Sequence, residues 1–277
     1  MTEASGGADA TGQAEPICYD VAAGVATITI DNPARRNVLD AASIAGMREA
    51  LRLAAEDDGV RVVVLTGTGN TFCAGADLAG ATGGGSESFA GSGPRALAAL
   101  LEDLLDHPKP TIARVQGHVA GGGNGLVAAC DLAIAVAGAR FAFSEVRVGV
   151  APAVISVVCL ARLHRGDAYE LLLTGERVSA ERVRTAGMLT QVVPADELDD
   201  AVAALVGKLA LGGPGALAAT KKLLRQVPTM GRSDAFAFTS DLSAQLFASD
   251  EARAGMTAFL GRTAPPWAPA APAEEPG

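Results

Sequence analysis

The sequence predicts an α/β core with mostly parallel strands, followed by an all-helical segment. Three observations predict it. Strand and helix signals alternate up to about residue 193. Residues 60–66 (VRVVVLT) form a nearly unbroken β-branched run, which suits a strand covered on both faces. Beyond Pro194 only helical spacing remains.

Taken in order, residues 17–20 and 25–30 alternate apolar with small or polar side chains around Gly24, which reads as a hairpin. Asp40 caps a helix to about residue 58, with Ile44, Met47, Leu51 and Ala54 at helical spacing. The 60–66 strand leads into a glycine-rich loop and a helix over about 94–106, which HPKPT breaks. A short strand at 111–115 leads into a second glycine-rich loop, 117–125, and a helix over 126–130. Strands follow at 132–136 and 140–143. Pro152 suits the first turn of a helix to about 163. Helices are expected at 166–173 and 179–186, with a last strand at 189–193. The remaining helices are expected at about 196–211, 214–226, 232–247 and 252–260. The chain thus divides into a polar tail (1–15), an α/β core (16–193), a helical region (194–262) and a Pro/Ala-rich tail (263–277), both tails expected to be disordered.

Composition excludes several classes. With 22 Lys and Arg against 31 Asp and Glu, the net charge of −9 argues against a nucleic-acid partner. No apolar run long enough to span a membrane is free of charge or glycine. Residues 1–15 carry neither the basic nor the apolar part of a signal peptide. Of four scattered cysteines without a CxxC, three lie within apolar runs and read as small core residues, and a cytoplasmic address is expected. His107, His118 and His164 lack metal-ligand spacing, so no metal is expected.

The 33 glycines direct attention to the two loops. Each follows a strand, where ligands of open α/β sheets bind. The loops are Gly67-TGNTFCAGAD-Leu78 and Gly117-HVAGGGN-Gly125. Each alone also reads as a tight turn. Together they are able to aim two backbone N–H donors at one oxygen, as acyl-transfer and enolate chemistry requires. The Walker loop, the dinucleotide fingerprint and the G-x-S-x-G elbow are all absent.

These residues resemble a family. Phe72-CAGAD-Leu78, Gly121-Gly-Gly123 and Phe143-Ser-Glu145 ahead of Gly149 and Pro152 are similar to the enoyl-CoA hydratase/isomerase (crotonase) superfamily. Asn32-PARR-Asn37 and the late Ser249-Asp-Glu251 and Gly255-MTAF-Leu260 extend the resemblance over about 17–262. It implies a crotonase-like spiral of ββα turns with a C-terminal helical region that builds homotrimers or hexamers. It implies an acyl-CoA thioester as substrate, with no cofactor beyond that coenzyme A. By resemblance, Ala76 and Gly122 supply the N–H donors for the thioester oxygen. Ala74, Asp77 and Leu78 match the adenine-binding turn, Gly121 and Pro152 line the substrate, and Arg35 and Arg36 approach the CoA phosphates. Solvated loop arginines is the equal alternative for that pair.

Hydratases of this family commonly use two glutamates. Glu145 matches one, and its alternative reading is a surface carboxylate paired with Arg147. The other would fall where this chain has Gly125, after Asn124. The run from Glu145 to Ser156 resembles a branch of hydratases, some acting on branched glutaconyl-type thioesters, whose members often lack that glutamate too. The resemblance therefore implies an enoyl-CoA hydratase. An isomerase, another one-carboxylate reaction or a non-catalytic acyl-CoA binder are the alternatives. Asp131 reads as an anchor. Glu87, in the 79–93 stretch, reads as polar linker rather than a second acid. Lys221, Lys222 and Arg262 read as solvated helix faces rather than CoA ligands.

Overall fold

The computed structural model describes residues 16–77 and 93–268. Leu78, Glu87, nearly all of the 79–93 stretch, the 1–15 tail and most of the 263–277 tail lie outside the described residues.

Strands β1 (Ile17–Ala22) and β2 (Val25–Ile30) pair antiparallel. Their turn places Ala23 and Gly24 at φ 49° and 78°, the left-handed pair that a two-residue hairpin needs. Helix α1 (Ala41–Glu56) starts at Asp40, whose side chain accepts from Ser43 N while the Ser43 hydroxyl accepts from Asp40 N. Its Ile44, Met47, Leu51 and Ala54 are buried, as their spacing predicts. Strand β3 (Val62–Gly67) is buried at every position.

The first glycine-rich loop contains a strand that the sequence did not announce, β4 (Thr71–Cys73). Helix α2 (Gly93–Asp106) and strand β5 (Thr111–Val115) follow. The second loop is shorter than expected, because β6 (His118–Ala120) and helix α3 (Gly122–Ala129) take up most of it. Then come β7 (Leu132–Val136), β8 (Arg140–Ala142), helix α4 (Ala153–Cys159) with Pro152 at its N-cap, and helix α5 (Arg165–Thr174). Another unexpected strand, β9 (Arg177–Ser179), precedes helix α6 (Ala180–Thr185) and β10 (Gln191–Val193). Strands of three residues carry too little alternation to stand out from a loop.

Two sheets result. The larger runs β1-β2-β3-β5-β7-β10, parallel except for the first hairpin. The smaller runs β4-β6-β8-β9, parallel until β9 reverses. Asp131 is an anchor, as expected. Its carboxylate accepts from the Thr111 N–H and hydroxyl at 2.8 and 3.0 Å, fixing β5 beside β7.

The chain forms two compact units, one of 16–77, 93–107 and 111–202, the other of 108–110 and 203–268. Helix α7 (Leu198–Ala210) runs through the boundary. The second unit holds helices α8 (Pro214–Gln226), α9 (Arg232–Phe247) and α10 (Asp250–Gly261). Glu251 of α10 caps α8 by accepting from Gly215 N and Ala216 N. Lys221 is buried and donates to the Lys109 carbonyl at 2.9 Å, so its ammonium has a structural task. Lys222 lies over the Phe238 ring. Trp267 donates to the Leu211 carbonyl and packs on Gly255, so this part of the expected tail is ordered against the unit. Phe236, Phe247, Phe259 and Leu260 are exposed. Among the described residues no single helix is long and apolar enough to cross a membrane.

Candidate active site

The two glycine-rich loops meet at their glycines. Gly75 has φ +84°, and a Cβ there would stand 2.8 Å from the Ala120 carbonyl and 3.0 Å from the Gly122 nitrogen. Only glycine permits both that conformation and that approach. The next residue, Ala76, is therefore carried to the N-terminus of α3, where Gly122 is the first helical residue. Leu39 fixes the loop from its other side. Its N–H donates to the Gly75 carbonyl at 2.8 Å, and its own carbonyl accepts from Asp77 N. That pairing leaves the Ala76 N–H without a backbone acceptor among the described residues, and Gly122, at the first turn of a helix, has none either.

Helix α3 is built to press against this loop. A Cβ on Gly122 would meet Leu39 Cδ1 at 2.9 Å, and one on Gly123 would meet the Cys73 carbonyl at 2.7 Å. Gly125 faces the opposite way. Its Cβ would lie 2.6 Å from Ile155 and 3.4 Å from Leu101. The position where the resemblance expects a second glutamate is therefore occupied by apolar side chains.

Glu145 enters from a 3-10 turn (Ser144–Val148) that follows β8 and ends at Gly149, φ +80°. Its carboxyl oxygen Oε1 lies 3.6 Å from the point a Gly121 Cβ would occupy. Glu145, Gly121, Gly122 and Gly75 thus form one cluster. The Oε2 atom is buried without a hydrogen-bond partner among the described residues. Burial pushes the Glu145 carboxyl above its ordinary value, partly offset by a backbone hydrogen bond. Arg147 does not pair with it, because its guanidinium donates to the Thr174 carbonyl at 2.9 Å. A half-buried carboxyl with no ion partner among the described residues, clustered with Gly121 and Gly75, has the setting of a proton acceptor.

Asn124 is the site residue that sequence reasoning passed over. It is fully buried, and its amide donates to the Gly121 and Ala142 carbonyls at 3.2 and 2.9 Å, tying α3 to the end of β8. Its Oδ1 has no partner among the described residues. Cys159 donates weakly to the Asn124 carbonyl, and burial, then the Glu145 charge, push its thiol up. Burial likewise raises Cys73 to about 12, so both remain neutral thiols of the core.

The other sequence-predicted residues divide. Arg35 and Asp77 come together as an ion pair, with Asp40 also accepting from Arg35 at 3.1 Å. That guanidinium clamps the 3-10 turn Pro33–Arg35 to the loop behind Ala76, and its charge is matched locally. The Arg36 carbonyl accepts from Ala74 N at 3.1 Å, while the Arg36 side chain has no acidic partner among the described residues. Pro152 caps α4 and accepts from Ser156 N, a helix-starting role.

Arg36 and Asn37 both have left-handed backbones, φ 56° and 54°. Buried Asn37 holds them there: it accepts from Asn32 N and donates to the Thr68 and Thr71 carbonyls at 3.0 and 2.7 Å. Asn37→Ala is expected to destabilise the protein by about 2–4 kcal/mol in urea unfolding, since three polar groups lose a partner and alanine disfavours this φ.

The model of the enoyl-CoA hydratase/isomerase family matches residues 20–270. The enoyl-CoA hydratase EchA19 of Mycobacterium tuberculosis is 32% identical, over 86% of this chain and 91% of its own. The 2,3-dehydroadipyl-CoA hydratase of Escherichia coli is 32% identical, over 87% and 94%. The crystal structure of an enoyl-CoA hydratase from Mycobacterium smegmatis superposes with a TM-score of 0.86 at 34% identity, covering 91% of this chain and 98% of that one.

Proposed function

The chain belongs to the enoyl-CoA hydratase/isomerase family, and from that premise we propose that it adds water across the 2,3-double bond of an acyl-CoA thioester. One observation carries the reading: a half-buried Glu145 carboxyl, with no ion partner among the described residues, stands at the meeting point of two loops whose Ala76 and Gly122 N–H groups have no backbone acceptor among those residues. In this reading Ala76 N–H and Gly122 N–H hold the thioester oxygen as enolate charge develops, an effect worth about 10²–10³ in rate per donor. Glu145 takes a proton from the attacking water as the new bond forms at Cβ. The same carboxyl then returns a proton to Cα.

Double-bond isomerisation is the second reading, and the apolar contacts of Gly125 favour it, since one carboxyl is enough to move a proton between carbons. Incubation with 2-enoyl-CoA and 3-enoyl-CoA separates the two. Product heavier by one water supports hydration; product of unchanged mass supports isomerisation; binding of CoA without turnover of any thioester removes both.

The carboxyl works as a base only when ionised, and burial raises its pKa. The acid limb of kcat/KM is therefore expected above the ordinary carboxylate value, with rate falling as pH drops through it. A limb at or below that value would assign the step to another group. The reading extends to assembly as a homotrimer or hexamer, supported by the exposed Phe236, Phe247, Phe259 and Leu260 and tested by mass in solution. It also extends to the cytoplasm, where the buried thiols of Cys73, Cys130 and Cys159 stay reduced.

A further inference from the structure

The small sheet has two unlike faces. In its register Val119 stands beside Phe141, and Phe141 opposite Val178, and with Phe72 these make an apolar face. The alternate positions point the other way: Thr71 beside His118, then Arg140, and Ala142 opposite Arg177. They line a cleft of about 500 Å³, to which the loop before β4 adds Asn70 and the strained turn adds Arg36.

Three guanidiniums therefore surround one cleft, and among the described residues no Asp or Glu lines it. Neither Arg36 nor Arg177 forms an ion pair with any described residue, and Arg140 reaches only the Gly138 and Ala139 carbonyls. This positive concentration sits on a chain whose net charge is −9. His118 registers it: burial first, then Arg177 and Arg140, hold its imidazole below the ordinary value. His118 Nδ1 accepts the Arg140 N–H at 3.2 Å, so in the neutral ring the proton is on Nε2, which becomes a further donor.

The geometry points to a binding site for a compact, multiply charged phosphate anion, held by Arg36, Arg140 and Arg177. Guanidinium forks match phosphate oxygens two at a time. A single carboxylate brings one charge to three cations, and an extended acidic peptide cannot gather several carboxylates in so small a cleft. The anion has two possible sources. The cleft reaches Cys73 and Ala74, the latter two residues before Ala76 in the chain, so the phosphates of a CoA thioester are one. A free polyphosphate is the other. The inference stands on the cleft and does not depend on which reaction the chain performs.

The test is calorimetric titration of the full chain with inorganic pyrophosphate at low ionic strength, which needs no turnover. Saturable binding is expected, weakened about tenfold or more in Arg140→Ala/Arg177→Ala and also weakened by salt. Both side chains are exposed, and circular dichroism checks that the variant stays folded. Competition by CoA would support the cleft and assign it to the nucleotide end of the thioester. CoA binding alongside pyrophosphate would support it as a separate anion site. Absent pyrophosphate binding, unchanged affinity in the folded double variant, or binding of polyglutamate in place of pyrophosphate would overturn the proposal.

Discussion

Glu145→Gln is expected to lower hydration of crotonyl-CoA by about 10²–10⁴-fold, with thioester binding retained. Glutamine keeps the shape of the side chain but has no basic oxygen to receive the proton of water. The backbone donors are untouched, so the loss should fall on kcat rather than KM. Stability should move the other way or not at all. A carboxyl whose folded pKa is raised stabilises the fold in its protonated form, below the ordinary carboxylate value. That contribution is lost as pH rises through the raised folded value. At neutral pH the native carboxylate is thus a half-buried charge with no ion partner among the described residues, and an uncharged amide relieves its desolvation. Full activity in the variant would remove Glu145 from the mechanism. Inactivity together with a lowered Tm would mean damage to the fold instead.

Gly125→Glu carries the second large effect, and its direction is less obvious. Restoring the glutamate that the family commonly places here should not improve the enzyme. Its Cβ alone would stand 2.6 Å from Ile155, with Leu101 close behind. Overpacking costs about 1–3 kcal/mol, and a carboxylate in those apolar surroundings adds further cost. A loss of about 3 kcal/mol or more in denaturant unfolding is expected, with hydration unchanged or lower. Ile155→Ala in the same chain should recover part of the stability, because it removes the contacting methyl groups. A stable single variant with raised hydration would show that the apolar packing does not set the carboxyl count.

Much of the fold could be read in advance, for clear physical reasons. Long elements carry many periods: α1 has four buried positions at helical spacing, and β3 is an unbroken buried run. Helices α8 and α9 appear at the residues expected from Pro214 and the polar breaks that bound them. The three-residue strands β4, β6 and β9 did not show, and they form most of the small sheet on which the donor loops and Glu145 are mounted. The candidate site was legible where it is made of backbone. Glycine can be read as close approach, and a resemblance then gave Ala76, Gly122 and Glu145 their roles.

What stayed hidden depends on distant side chains. Nothing local indicates that Arg35 is matched by Asp77 while Arg36, its neighbour, has no acidic partner among the described residues. Nothing local places Arg140 and Arg177 on one face with His118, because that follows from pairing between strands. The amide of Asn124, which ties the donor helix to β8, looks in sequence like any polar residue in a turn.

Helix α3 holds three glycines among its eight residues and is buried throughout. Each glycine costs about 0.5–1 kcal/mol relative to alanine in a helix, and so short a segment has no independent helical stability. The helix exists because Leu39, Leu97, Leu101 and Ile155 close around it. The Gly122 donor therefore has no folded state of its own that could outlast or precede the core. Warming therefore cannot loosen the Gly122 N–H while the core packed around α3 stays native, so on the proposed reading this donor is lost only when that core unfolds.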